Sequence, residues 1–470
     1  MDNAALADLF AAQKARRWAL AQTTADERIA RLRKLKAALI ERRRELADAV
    51  HADFRKPATE VELTELHPTI AEIDHAVAHL PDWMDPTSVP TPLLLTGTRS
   101  EVRREPKGRV LILAPWNYPI FLLLGPLVGA VAAGNCCVLK PSHRTPHTAD
   151  CLASLLGDVF PRDEVAVVRG GGDLGDRLLA EPFDHICFTG SQGVGRKVMT
   201  AAAAHLASVT LELGGKSPAI VDESADLRAA ARRIAWGKYV NAGQTCVAPD
   251  YALVPRERAP AFTAELAAAV RKAYGDTPEA RRHSPDFARI IDARAHARLV
   301  DVVERSVAAG ARIVIGGDHD GESRYLAPTV LADVTPSMPI MADEIFGPVL
   351  PVLAYDELDE AVAHVQSGDK PLALYLFARD RTRVERVLRR TSAGGTVINN
   401  CLIHLANPDL PFGGVGASGM GSYHGRWGFE AFSHARAVVR QGDPALAGVF
   451  YPPYDNTRAR LATRSLKVLE

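Results

Sequence analysis

The run Asn241-Ala242-Gly243-Gln244-Thr245-Cys246-Val247-Ala248-Pro249 sets one cysteine among small residues, with a proline just beyond it. A free cysteine usually behaves as a small buried hydrophobe, so the residue alone says little. Its company changes the reading. Upstream, Thr210-Leu211-Glu212-Leu213-Gly214-Gly215-Lys216 places an acid at the end of an apolar, strand-like run that breaks into two glycines. Earlier still, Ala114-Pro115-Trp116-Asn117-Tyr118-Pro119 holds an amide side chain in a rigid turn behind a strand-like run. A thiol, an acid and an amide are the parts of covalent chemistry at a carbon bonded to oxygen. Cys246 attacks and later leaves, Asn117 donates to an oxygen that turns negative, and Glu212 serves as a general base.

Outward from these motifs the chain alternates between strand-like and helical stretches. Strands are expected at 110–114, 138–139, 165–168, 185–188 and 209–213, which argues an α/β fold with a parallel sheet and right-handed crossovers. After the fourth of them, Phe188-Thr189-Gly190-Ser191-Gln192-Gly193-Val194-Gly195 opens a helix. A glycine-rich turn at a helix N-terminus suits a phosphate. Its spacing departs from the usual dinucleotide fingerprint, and the glycines would serve close strand–helix packing equally well. A second alternating region, with strands at 219–221, 252–254, 313–315, 349–353 and 373–377, reads as another α/β domain that carries Cys246. The break at Gly214-Gly215 leaves acid and thiol on either side of an interdomain cleft, a natural place for chemistry.

Residues 1–80 read as helices, with Ile29, Leu32, Leu35, Leu39, Leu46 and Val50 on one face and a Thr24/Glu27 capping box at a helix start. Arg31, Arg33, Lys34, Arg42, Arg43 and Arg44 on the other face read as a solvated surface. Residues 81–98 are expected to be a Pro- and Thr-rich loop and 99–104 a strand. The apolar run 120–133 contains Pro126 and two glycines and reads as a buried helix.

A chain of 470 residues holds two or three domains. Its 56 basic residues balance its 56 acidic ones, which argues against nucleic acid or an acidic surface as partner. The six cysteines show no Cys-x-x-Cys spacing and the fifteen histidines no zinc-like spacing, so no metal is expected and a reducing compartment fits. With no leader-like N-terminus and no apolar run near the ~18 residues of a spanning helix, the expected location is the cytoplasm.

These motifs, in this order from about Arg109 to His434, resemble the NAD(P)-dependent aldehyde dehydrogenase superfamily. Cys246-Val247-Ala248-Pro249-Asp250-Tyr251, Gly419-Met420-Gly421-Ser422-Tyr423-His424-Gly425 and Phe432-Ser433-His434 look most like its class 3 group, which includes fatty aldehyde and coniferyl aldehyde dehydrogenases. The resemblance implies a Rossmann-type cofactor domain, an α/β catalytic domain and a small β oligomerisation arm. The corresponding segments are N-terminal helices at 1–80, the arm at 81–108, the cofactor domain at 109–215, the catalytic domain at 216–405, a return to the cofactor domain with an oligomerisation strand at 406–440, and a tail at 441–470. The expected assembly is a homodimer, and the tail lacks the membrane anchor that some fatty aldehyde dehydrogenases carry.

For the chemistry, the resemblance implies oxidation of an aldehyde to the acid by NAD or NADP, through a Cys246 thiohemiacetal and a thioester hydrolysed by water that Glu212 activates. Lys140 should hydrogen-bond the adenine-side ribose. Glu344 and Phe346 should hold the nicotinamide ribose and ring, while Trp116, Gly190 and Ser191 lie near the pyrophosphate and nicotinamide. NAD-preferring members usually carry Glu where this chain has His143, in Lys140-Pro141-Ser142-His143, so NADP should be accepted too. Trp236, Tyr239, Leu402 and Ile403 are expected to line the aldehyde pocket and favour medium or long aliphatic and aromatic aldehydes. Acyl transfer to coenzyme A is the competing reaction, but members that catalyse it usually lack the acid present here as Glu212. A silent structural protein on this fold is the other alternative, against which stand Cys246, Glu212 and Asn117 together.

Overall fold

The alternating apolar runs fold into two separate sheets. The computed structural model describes residues 3–92, 95–442, 451–454, 457, 460–461 and 463–464, so most of the 441–470 tail lies outside the described residues. The first sheet has six strands in the order Gly419–Met420, Ser208–Leu213, His185–Gly190, Arg109–Leu113, Cys136–Lys140 and Val165–Val167. All its pairings are parallel except the two-residue edge strand Gly419–Met420, which runs antiparallel and sets Gly419 opposite Glu212. The second sheet has seven, in the order Arg312–Ile315, Thr329–Ala332, Val349–Tyr355, Tyr251–Pro255, Pro218–Val221, Ala373–Phe377 and Gly395–Ile398. Only its first pair is antiparallel. Every strand expected in either region is present; Thr329–Ala332 and Gly395–Ile398 were not anticipated.

The apolar run becomes the helix Phe121–Ala133, buried along its whole length. Gly129 allows that helix to approach Gly428, since a Cβ there would lie 3.0 Å from the Gly428 carbonyl carbon. The arm differs from expectation at its start. The helix His67–Met84 runs through Pro81, and a short strand Thr87–Val89 follows. Thr98–Pro106 then pairs antiparallel with Ser433–Gln441 over its full length, forming a three-stranded sheet with Thr87–Val89.

Thr24 and Glu27 form the capping box at the start of the helix Ala25–Glu41. The basic face beyond it is not simply solvated. Arg31 bonds the buried carboxylate of Glu164 at 3.0 Å, Lys34 donates to the Asp158 and Val159 carbonyls, and Arg42 pairs with Glu45. Those carbonyls end the helix Pro146–Val159, where unpaired C=O groups and the negative dipole end attract a cation. Arg16, from the helix Asn3–Ala21, reaches the same Glu164.

Burial alone would push the Glu164 carboxyl up, but hydrogen bonds from Arg31 and Arg16 outweigh it and hold the group below its ordinary value. A carboxyl lowered on folding stabilises the protein fully above the unfolded-chain value, ~4.3 for Glu. That contribution is lost as pH falls through the lower folded value. Glu164→Ala is therefore expected to cost ~1–3 kcal/mol at neutral pH, and less in acid, as read from urea unfolding midpoints at the two conditions.

Candidate active site

The thiol loop has an unusual backbone. Asn241, Ala242 and Gly243 follow one another with φ of 56°, 51° and 72°, all left-handed. For the two non-glycine residues this conformation costs ~1–3 kcal/mol each and persists only when the surroundings hold it. They do. The Asn241 N–H donates to Glu60 at 2.9 Å, and its side-chain amide donates to the Asn117 carbonyl at 2.8 Å and the Gln244 carbonyl at 3.2 Å. Gln244 bridges onward to the Arg289 carbonyl and accepts from the Ile291 N–H. Gly243 is required in its own right, because a Cβ would stand 2.2 Å from the Gly347 carbonyl oxygen.

Asn117 therefore lies against the cysteine loop from the other sheet. Its amide donates to the Gln244 carbonyl at 3.0 Å, leaving the second of its two N–H donors free for another acceptor. Beside it, the Tyr118 hydroxyl and the Thr245 hydroxyl share a hydrogen bond of 2.6 Å. Of the six cysteines, all free, Cys246 alone is partly exposed. Burial pushes its thiol up to about 12, with negative charge at Glu344 and Glu212 adding to the effect and the Cys246 and Val247 N–H groups opposing it.

Glu212 is the penultimate residue of the strand Ser208–Leu213, with both carboxyl oxygens buried and no hydrogen-bond partner. Burial raises it well above the ordinary carboxylate range; the Gly414 N–H faces it and opposes the rise without meeting hydrogen-bond geometry. Glu344 is raised to about 8, chiefly by burial and then by Asp250, against the Gly215 N–H and the two lysines Lys216 and Lys238. Its carboxyl occupies the space above Gly214, where a Cβ would come within 1.9 Å of Oε2.

The phosphate-type turn sits across from Glu344. Gly190 closes the strand His185–Gly190 and Ser191 precedes the helix Gln192–Ala204, whose N-terminus has no side-chain cap. A cleft of about 620 Å³ runs between them, lined by Ser191, Gln192, Gly193, Gly215, Lys216 and Glu344 among others. An uncapped helix N-terminus opening on such a cleft fits the pyrophosphate of a dinucleotide. Phe346, left-handed at φ 49°, packs edge-on against Trp116 at 5.4 Å, and the Arg144 guanidinium lies 4.7 Å over the Trp116 ring. Lys140 is half-buried and His143 exposed. Arg144, next to His143 in the chain, is committed to Asp292 and the Trp116 face.

One pocket residue is corrected. Tyr239 is fully buried, with its hydroxyl donating to the Thr329 carbonyl at 2.9 Å and its ring packed on Tyr274, so it belongs to the core of the second sheet. On the helix Leu227–Tyr239 it is three residues from Trp236, close to one turn, yet Trp236 is 49% exposed while Tyr239 faces the sheet. Ile403 is 49% exposed and Leu402 is buried at φ 64°. An aromatic group near the thiol was not anticipated. Tyr118, Phe121 and Leu122 form a separate apolar cluster, Phe121 meets His424, and His424 stacks on Phe412 at 5.2 Å. The Tyr423 hydroxyl, His424 Nε2 and both His404 ring nitrogens are buried there without partners.

A charged group was also missed. Lys216 donates to Asp250 at 2.5 Å and to the Asp343 carbonyl, while the other Asp250 oxygen accepts from the Ile345 N–H. Asp250 thus fixes the loop bearing Glu344. Lys238 is wholly buried near them with no hydrogen-bond partner, and burial brings it down to about 8. Lys216 stood in a quoted motif; nothing local marks Lys238.

Residues 3–438 match the Aldehyde dehydrogenase family. The chain belongs to the aldehyde dehydrogenase family. It is 45% identical to human aldehyde dehydrogenase family 3 member B1 over 93% of this chain and 92% of the relative. It is 42% identical to a probable coniferyl aldehyde dehydrogenase of Pseudomonas aeruginosa, covering 96% and 94%. Staphylococcus aureus AldH in its substrate-bound state superposes with a TM-score of 0.94 at 40% identity, over 99% of this chain and 100% of that one. A Mycobacterium tuberculosis aldehyde dehydrogenase complexed with NAD+ gives 0.83 at 31% identity, covering 92% and 90%. The fold is that of the aldehyde dehydrogenases, and close relatives by sequence include class 3 members. This aldehyde dehydrogenase oxidises aldehydes to acids with NAD(P).

The resting site holds its thiol neutral, which gives a direct test. The thiolate is the form that reacts with an alkylating agent. With the group pushed up to about 12, its population grows tenfold per pH unit through neutrality. The rate of Cys246 carbamidomethylation, followed by peptide mass spectrometry, is expected to climb from about pH 6 to about pH 9 with no plateau.

Proposed function

We propose that Cys246 is the nucleophile of this aldehyde oxidation, that the Asn117 amide and the Cys246 backbone N–H are the oxyanion donors, and that Glu212 activates the hydrolytic water. The observation that carries this reading is the conjunction of the one partly exposed thiol with a buried carboxyl lacking any hydrogen-bond partner. The Cys246 thiol first releases its proton to solvent; the thiolate sulfur then adds to the aldehyde carbon, and the oxyanion that forms takes the free Asn117 donor. The dinucleotide, when bound, supplies the hydride acceptor. Glu212 then takes a proton from water as that water attacks the acyl carbon, and the Cys246 sulfur leaves. A carboxyl whose value is raised by burial is a stronger base for that step than an exposed one.

For the cofactor, Lys140 is assigned to the adenine-side ribose, Glu344 and Phe346 to the nicotinamide ribose and ring, and Trp116, Gly190 and Ser191 to the pyrophosphate and nicotinamide. The cleft beside the uncapped helix supports this assignment. The first sheet is taken as the core of a cofactor domain at 109–215, the second as that of a catalytic domain at 216–405. For the aldehyde, the cluster Tyr118, Phe121, Leu122 and Phe412 favours medium or long aliphatic and aromatic chains, with Trp236, Leu402 and Ile403 at the rim. The exposed strand Ser433–Gln441 supports a homodimer, since an unpaired edge is a liability in a monomer. Six free thiols support a reducing compartment, the cytoplasm.

Cys246→Ala should abolish aldehyde oxidation while leaving cofactor binding intact. Glu212→Gln should still release about one NADH per active site and then stall, as stopped-flow absorbance would record. Loss of that first NADH in Glu212→Gln would mean that Glu212 activates the thiol as well.

His143, exposed, offers no carboxylate against a 2′-phosphate. Wild type should prefer NAD over NADP by less than ~100-fold in kcat/KM, equivalent to ~2.7 kcal/mol. His143→Glu should widen the ratio through like-charge repulsion. A wild-type ratio above that bound removes the argument.

A further inference from the structure

Three ionic side chains from the N-terminal helices reach the two loops that carry Asn117 and Cys246. Lys56 and Glu65 are fully buried and paired at 2.7 Å. The second Glu65 oxygen accepts from the Ile120 N–H at 2.8 Å, fixing the loop just beyond Asn117. Glu60 accepts from the Asn241 N–H, the first of the three left-handed residues before Cys246. The Lys56 ammonium lies 3.9 Å from the centre of the Tyr118 ring, and Tyr118 bonds Thr245, the residue preceding the thiol.

The local fold is shaped for this reach. In a regular α-helix, residues five apart point about 140° away from one another. Here the turn Glu62–Leu66 is π-helical. Such a turn inserts a residue and redirects the side chains that follow it, and isolated π turns recur at functional sites. The residue after the preceding helix, Arg55, is left-handed at φ 58°, which turns the chain so that Lys56 enters the interior.

We propose that Lys56, Glu65 and Glu60 are positioning residues for the acylation step: together they hold the amide loop and the thiol loop in one register, so that the oxyanion donor and the sulfur address the same carbonyl. This rests on the reading of Cys246 and Asn117 given above. An ion pair buried away from water is held by its partners and by the backbone donors it satisfies. A carboxylate that accepts a loop N–H therefore fixes that loop more sharply than apolar packing does. Glu60, raised to about 7 chiefly by burial and drawn back by Lys56, is held in place by accepting from the Asn241 N–H.

The test uses an activated aryl ester, p-nitrophenyl acetate, on the full chain without dinucleotide. Acylation of the thiol releases nitrophenolate in a burst whose rate reads acylation and whose amplitude counts competent sites. Lys56→Met/Glu65→Leu, which removes both charges and the acceptor for Ile120, should slow the burst ~10- to 100-fold, the scale of a misplacement of about 1 Å. Its amplitude should stay near one per chain. Lys56→Met/Glu65→Gln and Glu60→Gln keep an acceptor oxygen and should stay within about threefold of wild type, whereas Glu60→Ala should fall with the first variant. Should the first variant fail to fold, the Glu60→Ala and Glu60→Gln pair decides alone. Burst rates unchanged in the acceptor-less variants, or a loss confined to amplitude, would overturn the proposal by leaving these groups a purely structural role. A burst that survives in Cys246→Ala would instead overturn the reading of the site on which it rests.

Discussion

The left-handed run Asn241-Ala242-Gly243 is the constraint on which the rest of the site depends. It folds the chain back so that the thiol arrives at the joint of the two sheets, and it is unstable by itself. Two amide side chains, Asn241 and Gln244, close on the backbone of their own loop and of its neighbours, and a carboxylate takes the Asn241 N–H. Gly243 passes so close to Gly347 that any side chain would part the two loops. The loop with Cys246 and the loop with Glu344 and Phe346 are thus one mechanical unit.

Desolvation sets the electrostatics of that unit. Burial pushes Cys246, Glu212 and Glu344 up and brings Lys238 down. All four shifts move the groups toward their neutral forms, as expected where charges are costly to hydrate. A quiet resting site has two chemical consequences. The thiol is protected from adventitious oxidants and alkylators, which need the thiolate. In the proposed hydrolysis the Glu212 carboxyl must first shed its own proton before it can take one from water, and it has no hydrogen bond to break in doing so.

What could be read from the sequence was whatever is short in range. Apolar strand runs, the capping box of Thr24 and Glu27, and the buried helix at 121–133 follow from local composition, and the structure has them all. The motif order then gave the family, which the comparisons establish. Long-range polar geometry was not legible. The face with Arg31 and Lys34 looked solvated because their partners, Glu164 and the carbonyls of Asp158 and Val159, lie far away in the chain. Tyr239 looked like a pocket residue because its type fits a pocket; which way a residue faces at the end of a helix depends on the sheet it meets. Thr329–Ala332 escaped notice as a strand because it is four residues long and bounded by prolines and turns, so its pairing with Val349–Tyr355 defines it more than its composition does.

The joint between the sheets is fastened by directional bonds as well as by a shared apolar core. Asn117 to Gln244, Tyr118 to Thr245 and Arg144 to Asp292 each cross it, and Glu344, on the loop that Lys216 and Asp250 brace, seats over Gly214. Apolar packing would tolerate sliding between the two halves, because its free energy follows area and has no direction. Hydrogen bonds weaken steeply when bent, so this set fixes orientation while leaving the cleft beside Ser191 and Glu344 open. The same logic explains why the reactive groups are divided among three segments. Glu212 sits on a strand of the first sheet, Asn117 in the turn after another, and Cys246 ahead of a strand of the second. No single segment can be displaced without disturbing bonds that hold another, so the geometry between thiol, amide and acid is set by the assembled chain and by no local stretch of it.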